Sequence, residues 1–143
     1  MPSIFSRIIA GELPGHFVWR DDQAVAFLSI NPLQPGHALV VPVAEIDHWL
    51  DAPPELNAHM VGVAQAIGAA QQQEYDPVKV GLMLAGLEVP HLHFHVVPIR
   101  GVHDLDFANA ATEVDHSELA EHARRLRATL RAAGHGASVP EDS

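Results

Sequence analysis

The chain contains no cysteine among its 143 residues. This absence excludes disulfide bridges, thiol nucleophiles, and zinc or iron–sulfur sites built on cysteine ligands. Basic residues are scarce as well, because 8 lysines and arginines stand against 18 acidic residues, for a formal net charge of -10. Proteins that bind nucleic acid need a basic face, so no nucleic-acid partner is expected. A small phosphorylated ligand stays compatible with this charge, since a few local donors can outweigh the global field.

Long apolar runs are also missing. Hydrophobic residues make up 48% of the sequence, but no run approaches the ~18 residues of a membrane span. The first residues lack the basic and apolar regions of a signal peptide. We therefore expect one globular domain with no membrane partner and a cytoplasmic location. A chain of this length can bury about two thirds of its unfolded surface.

Apolar spacing and turn residues predict an α+β chain. Helices are predicted over 3–10, behind Pro53-Pro54 and over about 116–133, and strands over 17–20, 24–28, 37–42, 78–85 and 91–98. Residues 101–115 lack periodicity and are predicted to form an extended surface segment. This pattern divides the chain into a domain core of residues 1–100 and a C-terminal extension of residues 101–143. The extension combines that segment with a helix, and we expect it to pack on the same domain.

The most informative stretch is residues 91–97, where His91, His93 and His95 alternate with large apolar residues. Such alternation is typical of a half-buried strand, on which the three histidines share one face. Histidine has no special preference for strands, so a purely structural face would more readily use other residues. Concentrated imidazole serves proton transfer, nucleophilic attack or metal binding. The stretch therefore predicts an enzyme.

Three interpretations of these histidines compete. Surface histidines without a function are the weakest, since strict alternation rarely arises by chance. A zinc or iron site would recruit a further ligand, which Glu88 or His37 could supply. A nucleophilic imidazole suits phosphoryl or nucleotidyl transfer, because the phosphoramidate it forms is labile and neighbouring imidazoles can bind phosphate oxygens. Spacing alone leaves the metal site and the nucleophile open.

The order His, apolar, His, apolar, His, apolar, apolar at 91–97 resembles the motif of the histidine triad (HIT) superfamily, in its HINT/Fhit-like branch. The likeness covers about residues 3–100. Residues 4–14 resemble the family's opening helix, 21–27 its first hairpin, and 30–42 its next loop and strand. It implies an α+β fold, in which a five-stranded antiparallel sheet carries two main helices, and a two-fold homodimer. The apolar stripe of the second predicted helix would lie at the subunit interface, although core packing explains it equally: Leu56, Met60, Val63 and Ile67.

The resemblance also implies an activity, the hydrolysis of a nucleotide linked through its α-phosphate, with no metal and no other cofactor. By position in the motif, His93 is the expected nucleophile and forms a nucleotidyl-histidine intermediate. His95 would bind phosphate oxygens, and His91 would orient His93 largely through its backbone carbonyl. His37 would support this network. The nucleotide-binding residues implied or suggested by position are Ile4, Phe5, Ile8, Phe27, Ser29, Ile30, Leu87 and Glu88; the apolar members could equally be core.

Several positions depart from the family pattern. Ser29 stands where an acid commonly binds both ribose hydroxyls, and Leu87 replaces a glutamine whose amide touches the phosphate or the leaving group. Ser3 and Ser6 take the places of paired cysteines that bind structural zinc in some members. These changes keep alternatives open: a catalytically weak nucleotide-binding or partner-binding protein, a hydrolase of a non-nucleotide phosphoester, and a metal-dependent enzyme.

Overall fold

The structure, a computed structural model, describes residues 1–141. The main elements are α1 (Ile4–Ile9), β1 (Phe17–Arg20), β2 (Ala24–Leu28), β3 (Ala38–Pro42), α2 (Pro54–Tyr75), β4 (Lys79–Met83), β5 (Phe94–Ile99) and α3 (His116–Leu130). The strands form one five-stranded sheet in the order β1-β2-β3-β5-β4, and every neighbouring pair is antiparallel. The predicted α+β fold with a five-stranded antiparallel sheet is confirmed. Within residues 1–141, no helix is both long and apolar enough to cross a bilayer.

The sheet separates two apolar layers. On one face, Phe5 of α1 packs with Val25, Phe27, Leu39 and Val41 of the central strands. On the other face, α2 and α3 cover the sheet and form the larger core. Alternate residues of β2 and β3 enter opposite layers, so all ten positions of these two strands are buried. The candidate site lies at the edge of the smaller layer, next to α1.

The start of β5 differs from the prediction. The structure begins this strand at Phe94, so the predicted start at His91 is wrong. The ladder between β3 and β5 reaches only to Val40 opposite Phe94. Extending it would bring in Pro42, which has no backbone N–H to donate, and whose carbonyl instead lies 2.8 Å from Nε2 of His91. His91 and His93 therefore precede the strand, held by hydrogen bonds of their rings. The predicted strands 37–42 and 78–85 are also shorter at their ends.

The apolar stripe of α2 belongs to the core of one subunit. Met60, Val63 and Ile67 are buried at 0%, 2% and 0% exposure, and Leu56 packs partly buried beside them. Their placement leaves no apolar surface on this stripe for a partner, so interpreting it as an interface is wrong. This buried side of α2 packs on the sheet, where it shields β3 and β5 from water. A homodimer needs another surface and stays a proposal.

The extension after β5 turns over residues 102–109, where the prediction of an extended segment is wrong, whereas residues 110–115 contain no helix and no strand. Two short 3-10 helices, Val102–Leu105 and Phe107–Asn109, turn the chain there. Asp104 fixes the first turn, since its carboxylate accepts hydrogen bonds from the Arg100 N–H and from Gln34. Helix α3 then packs against α2 and β1. Its α-helical part ends at Leu130, but helical backbone continues until Gly134, whose φ of +98° breaks it, so the predicted end near 133 is confirmed. We propose, as before, that the extension belongs to the same domain; its last two residues lie outside the described part.

Candidate active site

Four histidines meet in one buried cluster. His95 lies on β5 opposite Leu39 of β3, and His37 comes directly before β3. His91 and His93 lie in the segment that leads into β5. Each of the four is at most 5% exposed, which removes them from bulk water. Their protonation is therefore set by the protein groups around them rather than by solvent.

A fixed chain of hydrogen bonds determines the protonation of His37 and His95. The backbone N–H of Leu33 donates to Nδ1 of His37 over 3.0 Å, so this nitrogen carries no proton. Burial, reinforced by His95 and His93, lowers the pKa of His37 to about 3, and the neutral ring must carry its proton on Nε2. That N–H donates to Nδ1 of His95 over 2.9 Å.

The proton of His95 follows from the same chain. Burial, with a further effect of His93, lowers the pKa of His95 to about 4, although the charge of Glu88 opposes this shift. The ring is thus neutral near pH 7, and because Nδ1 accepts from His37, the proton lies on Nε2. This N–H is buried and has no hydrogen-bond partner within residues 1–141. An unpaired buried donor is costly, and it marks the position where an anionic ligand would be stabilised.

His91 is clamped at both ring nitrogens. Its Nε2 lies 2.8 Å from the Pro42 carbonyl, which can only accept, so this nitrogen carries the proton. Burial lowers the pKa of His91, and its neutral Nδ1 accepts from the Ser3 hydroxyl at 2.7 Å. Ser3 is also the N-cap of α1, and its backbone N–H donates to Glu45. The clamp fixes the backbone carbonyl of His91 relative to α1.

That carbonyl orients His93. The Nδ1 of His93 lies 2.7 Å from the backbone oxygen of His91, so Nδ1–H donates and Nε2 is the nitrogen left to hold a lone pair for attack. The edge-on ring of Phe5, 5.1 Å away between centroids, packs against the imidazole. Nε2 lies 3.2 Å from Oε2 of Glu88. Nε2 of His93 thus faces Glu88 and no other histidine, and it can act as a nucleophile once no proton lies between it and Glu88.

The remaining predicted residues are divided between the site and the surface. Phe5 contacts both His91 and His93 and stacks edge-on with Phe27. The hydroxyl of Ser29, a buried residue, accepts from the Asn31 N–H rather than pointing free. Ile8 packs partly buried against the small apolar layer, whereas three side chains are exposed: Ile4, Ile30 and Leu87. The structure therefore brings together the four histidines with Phe5 and Glu88.

Sequence reasoning missed four residues that shape the cluster. The ring of Phe107, in the extension, lies edge-on to His95 with 5.0 Å between centroids. Gln71 of α2 donates to the carbonyls of Gly36 and Val96, next to His37 and His95. Ser3 and Glu45 support His91. The N-cap signal before α1 could have found Ser3, but no local pattern predicts contacts that join distant segments.

The comparisons with known proteins span the part of the chain that contains all four histidines. A sequence model of the family described as HIT domain matches residues 10–102. The chain is 36% identical over 99 residues to an uncharacterised HIT-like protein of Methanocaldococcus jannaschii, spanning 66% of this chain and 77% of that relative. A HIT-like protein of Bartonella henselae involved in cell-cycle regulation has a structure with a TM-score of 0.79 at 29% identity, over 89% of this chain and 95% of that one. For a zinc-bound histidine triad family protein of Mycobacterium smegmatis the TM-score is 0.78 at 28% identity, over 93% and 96%.

The zinc of the Mycobacterium smegmatis protein raises the question of whether a metal fits here. Donor atoms of Glu88, His93 and His95 lie within 4.8 Å of one another, close enough to form such a site. A metal needs a nitrogen lone pair from each histidine. His95 has none to offer, because Nδ1 accepts from His37 and Nε2 carries the proton. Freeing it would break the bond from His37 or the bond from the Leu33 N–H. The hydrogen-bonded arrangement therefore does not fit a metal at this cluster.

Proposed function

Because the chain belongs to the HIT domain family, we propose that it is a histidine triad hydrolase that acts on a nucleoside phosphoramidate or a related nucleotide linked through its α-phosphate. Family membership supports a nucleotide-binding or hydrolytic function, and the cluster geometry supports the finer assignment. The observation that carries it is the division of protons in the cluster. Nε2 of His93 is the nitrogen left for attack because Nδ1 donates to the His91 carbonyl, and His95 beside it presents an N–H that has no hydrogen-bond partner among residues 1–141.

This division matches what nucleotidyl transfer requires. The Nε2 lone pair of His93 attacks the α-phosphorus and forms a nucleotidyl-histidine, which water then hydrolyses. Negative charge on the phosphate oxygens is greatest in the pentavalent transition states, where the N–H of His95 donates to one of them. His37 keeps the proton of His95 on Nε2. It can do so because the Leu33 N–H occupies Nδ1 of His37, which leaves the His37 proton on the nitrogen that faces His95. His91 keeps Nδ1 of His93 occupied, so the lone pair stays on the attacking nitrogen.

A turnover assay tests the function. The substrates are an adenosine phosphoramidate, a dinucleoside polyphosphate, a sugar nucleotide and a non-nucleotide phosphoester, each with and without exhaustive chelation. We expect release of AMP from the phosphoramidate, and chelation should leave the rate unchanged. Thermal stabilisation by nucleotides without any turnover would favour a binding protein instead. Stoichiometric zinc or iron in the purified protein, with activity lost on its removal, would favour a metal enzyme.

Ser29 is expected to limit the preference for ribose. Replacing it with aspartate should increase the selectivity for a ribonucleotide over its 2′-deoxy counterpart by about tenfold, since a charge-assisted hydrogen bond to a hydroxyl contributes about 1.5–3 kcal/mol. Aspartate can also keep the acceptor for the Asn31 N–H. The measurement is kcat/KM for both nucleotides. Ser29→Asn, with the same shape and no charge, is the matched control, and an equal gain from both variants would refute the role of charge.

We further propose a homodimer that pairs through β4. This strand lies at the edge of the sheet and presents exposed Leu82, with exposed Val78 just before it. An open edge offers unpaired backbone groups, and two antiparallel copies of one strand can satisfy them across a two-fold axis. Light scattering at micromolar concentration should give twice the 15.4 kDa of the chain. A mass of one chain would exclude the dimer, and a Leu82→Lys variant should reduce the mass if β4 is the interface.

A further inference from the structure

Glu88 is the acidic side chain in contact with the histidine cluster. Its Oε2 lies 3.2 Å from Nε2 of His93, the atom that the proposed reaction uses for attack. A carboxylate oxygen and a nitrogen lone pair attract each other only through a proton, so one proton lies between them. The side chain is 46% exposed and follows Gly86, whose φ of +77° marks a turn. Glu88 thus touches the nucleophile from a surface segment.

Substrate and Glu88 compete for one position. Reacting atoms in a productive complex lie about 3–3.5 Å apart before bond formation, which is where the carboxyl oxygen lies now. The α-phosphorus must therefore displace the carboxyl group, and His93 must be neutral to attack. The shared proton then leaves with Glu88. The exposed side chain can turn about its own bonds, and to act on the bond that breaks it must reach the side of phosphorus opposite Nε2, because the attacking and leaving atoms lie roughly in line.

The histidines cannot supply the proton that the leaving group needs. His91 is occupied at both nitrogens by Ser3 and Pro42. If His95 gave up its Nε2 proton, it would need another from His37, and His37 could draw none from the Leu33 amide. These rings are fixed donors and not a proton relay. Glu88, which contacts His93, is the remaining group beside the cluster that can exchange a proton both with solvent and with substrate.

We propose that Glu88 is the general acid and base of the reaction, an inference that rests on the proposed function. In the first step the lone pair of His93 forms the bond to phosphorus and the P–N bond of the substrate breaks. Its electron pair stays on the leaving nitrogen, which takes the proton from Glu88 and departs as a neutral amine. In the second step the carboxylate takes a proton from water as the oxygen attacks phosphorus. The P–N bond to His93 breaks and returns the lone pair to Nε2.

The test uses leaving groups that differ in their need for a proton. The wild-type protein and Glu88→Gln are compared on adenosine 5′-phosphoramidates of an alkylamine and an arylamine, and on the adenosine 5′-p-nitrophenyl phosphate ester. The nitrophenolate leaves without protonation. For Glu88→Gln we expect the alkylamine rate to fall by about 10²–10⁴-fold and the arylamine rate to fall less. The rapid first release of nitrophenolate should persist, followed by slow turnover and accumulated nucleotidyl-His93.

Asp47→Asn is the matched control, because it removes an exposed acid whose backbone approaches Gly86 in the same region. It should leave all three rates unchanged, which separates proton transfer from a change in local charge. Equal losses of Glu88→Gln in the rate of the first release, measured before the intermediate hydrolyses, on all three substrates would overturn the role as an acid. An unchanged alkylamine rate would overturn it as well. If the wild-type protein turned over none of them, the proposed function itself would fail, and this inference with it.

Discussion

Replacing His93 with alanine should lower turnover by several orders of magnitude while leaving the fold intact. Covalent catalysis has no substitute once the nucleophile is removed, and the other rings of the cluster have their nitrogens engaged or protonated. The measurement is kcat on an adenosine phosphoramidate, with the thermal melting temperature as a check on folding. A folded variant that kept more than a small fraction of the wild-type rate would show that His93 is not the nucleophile.

His91→Ala is the comparison for that result, and its effect should be smaller. The carbonyl that accepts from Nδ1 of His93 belongs to the backbone and survives the substitution. The clamp by Ser3 and Pro42 is lost, so the carbonyl is held less tightly and some rate is lost with it. If His91→Ala were as damaging as His93→Ala, the side chain of His91 would have a direct role in the chemistry.

Replacing His95 with alanine should lower kcat by about 10²–10³-fold, the usual effect of removing one donor to a developing oxyanion. KM should change little, because the hydrogen bond gains strength mainly in the transition state. Kinetics at saturating substrate measure the effect. A large rise in KM with unchanged kcat would mean that His95 binds the ground state and the transition state equally.

His37→Ala separates the tautomer from the donor itself. The variant keeps His95 but removes the N–H that holds its proton on Nε2. His95 can then adopt either neutral tautomer, and only one of them presents a donor to the phosphate. The kcat of His37→Ala should therefore lie between the wild-type kcat and the kcat of His95→Ala. A rate equal to wild type would show that the chain from Leu33 does not matter for catalysis.

The fold was largely predictable because its elements are local. The apolar runs of β1 and β2 lie on either side of the polar pair Asp21-Asp22, which predicts a hairpin. Pro53-Pro54 marks where α2 begins. Failures came where a distant residue decides the outcome. Pro42 ends the ladder with β5 and shifts the start of that strand. The stripe on α2 could face the sheet or a second subunit, and its spacing is the same in both cases.

The site shows the same limit more sharply. Alternation pointed to His91, His93 and His95, and the resemblance added His37. Their protonation depends on the Leu33 amide, the Pro42 carbonyl and the Ser3 hydroxyl, which come from three separate segments. Phe107 reaches His95 from a stretch without periodicity. Such contacts require the tertiary structure, and they favour the proposed nucleophile over the metal site, the two interpretations that spacing alone leaves open.

The most direct test of this account is to detect the covalent intermediate. The protein is mixed with an adenosine phosphoramidate, quenched within the first turnover under alkaline conditions that preserve a phosphorus–nitrogen bond, and examined by intact mass spectrometry followed by peptide mapping. We expect a mass increase of one adenylate, located on His93 and absent from His93→Ala. Turnover without any adduct in a time-resolved series, or an adduct on a different residue, would contradict it.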